Sequence, residues 1–138
     1  MVVLLVGLML ALALPRLADS AVWGSAGEAA AKEVAAAMRL ARQQAVDHGT
    51  DSPSGYRFEA GTNSYCNLNV TTGQCGPRQY LPEGWAFERT DYTVWFDAYG
   101  GVIAWTGSVG AEVAISKGAD RWLIRFDPST GYAWHEKG

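Results

Sequence analysis

The chain has 138 residues, enough for one domain of ordinary size, and 18% of them are charged, with a formal net charge of −3. This charge balance provides no long-range attraction to nucleic acid or to anionic lipid, which argues against a polybasic binding protein. Sixteen glycines and six tryptophans favour a turn-rich β domain with large apolar side chains over a helical bundle.

The chain begins with an apolar segment. Residues 1–14 contain no polar side chain, and Pro15 then interrupts an otherwise helical pattern. The segment is shorter than the roughly 20 residues that a helix needs to cross a bilayer. It also differs from a finished signal peptide, because no lysine or arginine precedes it. We interpret residues 1–22 as a hydrophobic, membrane-directed helix with an unusual beginning.

Residues 23–49 are predicted to form an amphipathic helix, capped at its C-terminal end by Gly49. The apolar face is made mostly of small side chains, so the element that packs there approaches the helix backbone closely. The face consists of Ala30, Val34, Ala37, Met38, Ala41 and Ala45, and we predict that Val34, Met38, Ala41 and Ala45 pack on a sheet. A second, minor apolar line on the polar side predicts a further partner; it consists of Ala29, Ala36 and Leu40.

Residues 50–138 are predicted to form an antiparallel β domain. Large apolar side chains at positions 113 and 115 alternate with Ala114 and Ser116, and those at 122, 124 and 126 alternate with Leu123 and Arg125. Turn signals separate such runs, namely AGTNS, DAYGG, SKGAD and DPSTG. This spacing predicts six to eight short strands. Helix and strands together predict an α+β fold with the helix packed on an antiparallel sheet.

Two cysteines, Cys66 and Cys75, enclose the stretch CNLNVTTGQC. In a cytosolic protein this pair would suggest metal or redox chemistry, but behind a membrane-directed N-terminus a disulfide is favoured. The same loop contains Asn69, Val70 and Thr71, which match the acceptor pattern for N-glycosylation. The motif is short, and a turn inside the cysteine loop is the preferred interpretation.

Residues that could carry catalysis are few. His48 adjoins the predicted helix end, where a capping or solvated imidazole is expected, and His135 lies in a C-terminal region of a kind that commonly frays. The chain has no nucleophile elbow, HExxH motif or phosphate-binding glycine pattern. We therefore expect a protein that is not an enzyme, with no catalytic residue, cofactor or metal site.

The six tryptophans raise the possibility of an aromatic platform for sugars. Most tryptophans in a small β domain serve as core or edge packing. Trp95 is the one expected to be exposed, because it lies opposite in phase to Val94 and Phe96.

Four stretches of the chain share their order and spacing with one family. They are an apolar run ending in proline, a helix in which Ala41 and Arg42 precede Ala45 to Gly49, strands meeting at an aromatic-Asp turn that ends in glycine, and a hairpin closed by Thr-Gly. In this chain they read VVLLVGLMLALALPRL, AAAMRLARQQAVDHGT, LPEGWAFE with TVWFDAYGGV, and RWLIRFDPSTGYAW. With these stretches, which run across nearly its whole length, the chain resembles the type II secretion minor pseudopilins of the GspH/FimT class, relatives of the type IV pilins.

The chain departs from this family at its beginning. Family members carry a short basic leader, a glycine–phenylalanine site for the prepilin peptidase and a glutamate soon after it, and none of these is present in the given sequence. The expectation is that Met1 is an internal methionine and that residues 1–22 are the truncated remainder of a membrane-spanning helix. The alternative is a family member that is not processed.

The resemblance implies a pilin-like fold, with a long N-terminal helix that is membrane-inserted in its first half and amphipathic in its second. It implies a structural, non-catalytic filament subunit in the bacterial inner membrane, single-pass, with its C-terminal domain in the periplasm. The implied partners are other pseudopilins, the inner-membrane assembly platform and, if the true N-terminus lies upstream, the prepilin peptidase; methylation belongs to the same expectation. The positions assigned to the membrane and assembly helix are Val2, Leu5, Leu8, Leu12 and Pro15.

Two other functions stay open. One is a minor pilin of a type IV pilus, which the chain alone does not separate from a secretion pseudopilin. The other is a membrane-anchored domain that binds carbohydrate or DNA. Nucleic acid is the less expected ligand, because the basic residues of the β region are scattered among acidic ones.

Overall fold

The computed structural model describes residues 26–48, 56–70 and 72–138 of the chain. Residues 26–47 form helix α1, within the range 23–49 expected from the sequence. The predicted helix 1–22 and the five positions assigned to it, Val2, Leu5, Leu8, Leu12 and Pro15, lie outside the described residues, as does the proposed cap Gly49. Within the described ranges, no helix combines the length and the apolar composition that a membrane crossing requires.

Ten short strands make up two antiparallel sheets in the described part of the chain. The first sheet has the order β3-β2-β1-β6-β7, with β4 also paired to β2, and the second has the order β10-β9-β8-β5. The strands are β1 Tyr56–Ala60, β2 Ser64–Asn69, β3 Gln74–Cys75, β4 Gln79–Tyr80, β5 Ala86–Phe87, β6 Thr93–Phe96, β7 Val102–Thr106, β8 Glu112–Lys117, β9 Asp120–Phe126 and β10 Ala133–Lys137. The α+β class, with one helix packed on antiparallel sheets, is confirmed.

The strand count exceeds the predicted six to eight because β3, β4 and β5 have two residues each. Two residues are too few to show an alternating pattern, so such strands leave no periodic signal in the sequence. Their pairing with β2 and β8 depends on long-range contacts.

The small-residue face of α1 is buried as predicted. Val34, Met38, Ala41 and Ala45 have no measurable exposure, and Ala30 and Ala37 are also buried. The buried face is wider than the predicted stripe, because Ala31 and Ala35 are buried as well. The reason is that α1 contacts elements of both sheets, so the two flanks of its apolar face are covered.

Buried and less buried residues alternate along the core strands, except in β2, β8 and β9. In β1 the buried residues are Tyr56, Phe58 and Ala60, which alternate with half-buried ones. In β8 and β9, Ala114 and Leu123 are buried although they lie opposite in phase to the core-facing residues. They are register partners, and the Tyr92 side chain contacts the backbone of Ala114, so this side of the pair is also covered.

Two of the predicted turns, DAYGG and DPSTG, contact each other through their glycines. Gly100, after β6, and Gly131, before β10, have φ values of +89° and +73°, which L side chains rarely adopt. A Cβ on Gly131 would overlap the carbonyl oxygen of Gly100, and the Arg42 side chain of α1 lies against both glycines. The DAYGG and DPSTG turns are therefore packed against each other and against the helix.

Candidate functional site

Three polar contacts fix the position of α1 on the sheets. The Asn67 side-chain amide on β2 donates to the carbonyl of Ala37 at 2.8 Å, and the Arg42 guanidinium donates to the carbonyl of Thr130 at 2.7 Å. Nearer the start of the described helix, Nε2 of His135 on β10 lies 3.4 Å from Glu28. The hydrogen bond with His135, and then the charge of Lys32, lower the pKa of the Glu28 carboxyl. The helix is thus attached to both sheets at points along its length.

The start of the described helix approaches the second sheet closely. Gly27 is buried, and a Cβ there would overlap the indole rings of Trp85 and Trp122. Any side chain larger than hydrogen would require the helix or these two rings to shift. This close approach is what the small-residue face predicts.

The opposite side of α1 keeps the predicted minor apolar line in contact with solvent. Ala29, Ala36 and Leu40 are all exposed, Leu40 to 53%. A groove lies on each flank of this line. One groove, next to the disulfide loop, is lined in part by Leu40, and the other, next to β10, in part by Ala36.

The groove next to the disulfide loop encloses a cavity of about 70 Å³. The disulfide between Cys66 and Cys75, predicted from the sequence, is present and joins β2 to β3. Two amide oxygens at this groove, Oε1 of Gln44 and Oδ1 of Asn67, are buried and accept no hydrogen bond within the described ranges. A cavity of this size can hold water, which would satisfy both acceptors.

The disulfide also bears on whether the nearby Glu59 carboxylate could take part in a metal site. Oxygen and sulfur atoms of Glu59, Cys66 and Cys75 lie within 4.8 Å of one another. Metal ions bind cysteine as the thiolate, and a disulfide sulfur carries no such charge. This cluster therefore gives no reason to place a metal ion there.

Asn69, the first residue of the Asn-Val-Thr motif in the same loop, is the last residue of β2. The Asn69 carbonyl accepts from the Gly73 amide at 2.8 Å, and its side-chain oxygen accepts from the Thr72 amide at 3.3 Å. These bonds form a turn, as the preferred sequence interpretation states.

The groove next to β10 has a volume of about 550 Å³ and an aromatic wall. Tyr132 and Trp134 lie two residues apart on one face of the chain, with ring centroids 6.2 Å apart and planes inclined by 18°. Arg39 of α1 extends over the Tyr132 ring, with Cζ 5.8 Å from its centroid. We call this surface the aromatic groove; its other lining residues include Lys32, Glu33 and Ala36.

The sequence led us to expect a different tryptophan, Trp95, to be the exposed one, and this expectation is wrong. Trp95 is half-buried on β6, and the Arg57 guanidinium lies 5.6 Å from its ring centroid. The local signal for the aromatic groove was the two-residue spacing of Tyr132, which directly precedes β10, and Trp134, which lies within it. That signal is incomplete, because Arg39 and Lys32 come from α1, nearly one hundred residues away in the chain.

The two histidines have structural contacts. His48 is exposed at the end of α1, and its Nδ1 lies 3.1 Å from the Gln44 carbonyl, as expected for a capping residue. For His135, the expectation of a fraying terminus is wrong. Its segment is the edge strand β10, held by pairing with β9, and its ring lies 5.8 Å from that of Trp122.

Several basic side chains of the β domain form ion pairs with neighbouring carboxylates. The pairs are Arg89 with Asp91 at 3.2 Å, Arg121 with Glu88 at 2.7 Å, Arg125 with Glu136 at 3.0 Å and Lys137 with Asp120 at 2.6 Å. Cations paired in this way are poorly placed to form a patch for a polyphosphate.

No protein-family model, curated protein or solved structure matches this chain.

Proposed function

We propose that this protein is a structural subunit of a periplasmic, pilus-like filament, a minor pseudopilin of type II protein secretion of the GspH/FimT class. One observation carries the proposal. Helix α1 is packed by its small-residue face on two antiparallel sheets, and the sequence that precedes it contains the apolar run 1–14. A pilin-like subunit requires this combination of a β domain, a docked helix and an apolar extension of that helix.

The apolar segment is suited to two environments. Before assembly it holds the subunit in the inner membrane, with the β domain in the periplasm. During assembly it leaves the lipid and packs among the equivalent helices of other pseudopilins. A segment without charged side chains can do both, since lipid and a packed helical core are similar solvents for it. In the proposed helix Pro15 would be a point of flexibility, because proline removes a backbone donor.

The surface of α1 is consistent with this role. The line of Ala29, Ala36 and Leu40 is exposed on the side of α1 that does not face the sheets, so it is available to a neighbouring subunit. Small side chains permit a second helix to approach closely. The inner-membrane assembly platform and, for a chain with a leader upstream, the prepilin peptidase complete the proposed set of partners.

The experiment compares assembly with folding in a strain that lacks the native subunit. Removal of residues 1–21 should leave a soluble, folded, monomeric domain, because the buried face of α1 lies beyond the deletion. The truncated protein should fail to restore secretion. Leu10→Lys in the whole chain should fail as well, since a lysine near the bilayer centre costs on the order of 2.5–3.5 kcal/mol on insertion scales. Leu10→Phe is the matched apolar control and should restore secretion.

Restoration of secretion by the truncated domain would contradict the proposal and favour a binding domain that acts without assembly. Two further observations separate the alternatives. An in-frame glycine–phenylalanine–x–x–x–glutamate block upstream would establish processing of the pseudopilin class, and neighbouring genes would separate secretion from a type IV pilus. Micromolar DNA binding at physiological salt with a steep salt dependence would favour the DNA-binding alternative.

A further inference from the structure

The aromatic groove has the geometry of a ligand site. It lies between one edge of α1 and the edge strand β10, and its volume of about 550 Å³ falls within the range of small-molecule pockets. The rings of Tyr132 and Trp134 are stacked, with nearly parallel planes, and the pair forms the apolar side of the groove. Tyr132 is 52% exposed, so much of this side faces solvent.

The two cations that line the groove, Lys32 and Arg39, differ in whether a carboxylate pairs with them. Lys32 lies 3.5 Å from Glu28, with which it forms an ion pair one helical turn apart. Arg39 has no carboxylate partner in the described part of the chain, and its described contact is the Tyr132 ring. A guanidinium that is held against an aromatic ring, with its donors still available, is prepared for a bidentate bond to a carboxylate.

The neighbouring acidic groups restrict the kind of anion that fits. Glu33 lines the groove, and Glu136 accepts a 2.9 Å hydrogen bond from the Trp134 indole beside it. A polyphosphate needs several cations in a row, and the described lining supplies only two permanently charged ones, Lys32, which is already paired with Glu28, and Arg39. The carboxylates of Glu33 and Glu136 can accept hydrogen bonds from hydroxyl groups, which a sugar supplies in number.

We propose that the aromatic groove binds an acidic saccharide, a hexuronate unit whose apolar ring face packs against the exposed surface of the Tyr132–Trp134 pair and whose carboxylate pairs with Arg39. This goes beyond the proposed filament role, which requires no ligand at this position. The aromatic rings recognise the C–H face of the sugar, and Arg39 distinguishes an acidic unit from a neutral one.

The test measures binding of trigalacturonate to the full chain in a micelle of polyoxyethylene detergent, which carries no sugar head group. Titration calorimetry, with quenching of tryptophan fluorescence as a second readout, should give a Kd in roughly the 0.1–1 mM range. Maltotriose, the neutral probe, should bind at least about tenfold more weakly, because it forms no ion pair with Arg39.

Two variants test separately what Arg39 and Tyr132 contribute to binding. Arg39→Gln should weaken trigalacturonate binding about tenfold and leave maltotriose binding unchanged. Tyr132→Ala should weaken both sugars. The matched controls are Arg89→Gln and Tyr99→Ala, which change an exposed arginine and an exposed tyrosine that do not line the groove. Both controls should bind as the unaltered protein does, and thermal melts verify that each variant is folded.

Three results would overturn the proposal. One is the absence of trigalacturonate binding up to about 10 mM. Another is equal binding of both sugars with no effect of Arg39→Gln. The third is preferential binding of oligo-thymidylate that is lost in Tyr132→Ala, which would assign the groove to stacked bases. None of these results depends on filament assembly, so failure here leaves the secretion experiment intact.

Discussion

The side-chain amide of Asn67 donates a 2.8 Å hydrogen bond to the carbonyl of Ala37, thirty residues earlier in the chain. Ala37 lies in the middle of α1, where a carbonyl oxygen with two lone pairs can accept a bond from outside the helix in addition to one within it. Asn67 lies on β2 next to Cys66, so a single side chain connects the helix, the first sheet and the disulfide loop.

Asn67→Ala should reduce the free energy of unfolding by about 1 kcal/mol, because it removes this bond while the Ala37 carbonyl keeps its place in the helix. Asn63→Ala is the matched control, since Asn63 is exposed and its backbone carbonyl supplies the bond to Leu81. Urea denaturation of the soluble domain measures both. Equal stability of the two variants would show that the Asn67 bond contributes nothing net.

Met38→Lys should destabilise the fold by roughly 3 kcal/mol or more, because Met38 has no exposure and a buried ammonium would lack a partner. Leu40→Lys, two residues away on the exposed side of the same helix, should change stability by less than about 0.5 kcal/mol. Thermal melts of the two variants test whether the inner and outer faces are assigned correctly. Similar losses in both would contradict the assignment.

Gly131→Ala should be more damaging than Gly73→Ala, although both glycines have φ near +70°. At Gly73 a Cβ would meet no atom of the described residues within 4 Å, so the expected loss reflects backbone conformation, about 1 kcal/mol. At Gly131 the same Cβ also overlaps the Gly100 carbonyl, which is backbone and cannot move without displacing the turn. The difference between the two unfolding midpoints in urea measures the packing of the two turns. Equal unfolding midpoints for the two variants would mean that the contact between the turns contributes nothing to stability.

Cys66→Ser with Cys75→Ser should lower the free energy of unfolding by about 2.5 kcal/mol, because the unfolded chain regains the freedom of the loop between them. Protein purified without reductant should show no titratable thiol before this change, since both cysteines of the chain are in the disulfide. Free thiols in the purified protein would contradict the pairing.

Alkaline pH should unfold the domain partly through Tyr65. Burial, and then the negative charge of Glu33, raises the pKa of Tyr65 from its ordinary value of 10.0 to about 12. Between these values the folded state retains a proton that the unfolded state has lost, so this contribution to stability is complete below pH 10.0 and is lost as the pH rises towards 12.

Tyr65→Phe should therefore flatten the decline of stability across that pH window, as measured by urea denaturation at a series of pH values. Tyr99→Phe, at a position 93% exposed, is the control and should retain the decline. Phe at position 65 also removes the 3.1 Å bond to Gln79, which should lower stability by a similar amount at every pH below the window. If stability declined as steeply in Tyr65→Phe as in the unaltered protein, the decline would come from groups other than Tyr65.

The sequence by itself determined the features that depend on residues close together in the chain. A period of about 3.6 placed Val34, Met38, Ala41 and Ala45 on one helix face, and all four are buried. Glycine turn signals placed the turns near Gly100 and Gly131, and two cysteines nine residues apart predicted their pairing. Each of these depends on local conformational preference or on a short loop.

Tertiary structure alone decided how these elements are arranged. The position of β1 between β2 and β6, the burial of Ala31 and Ala35, and the meeting of Arg39 with Tyr132 all join residues far apart in the chain. A periodic pattern specifies which face of an element is apolar, but many partners can cover an apolar face, because hydrophobic burial has no direction. The choice among them is made by the packing of the whole core, and that packing brings the aromatic groove together.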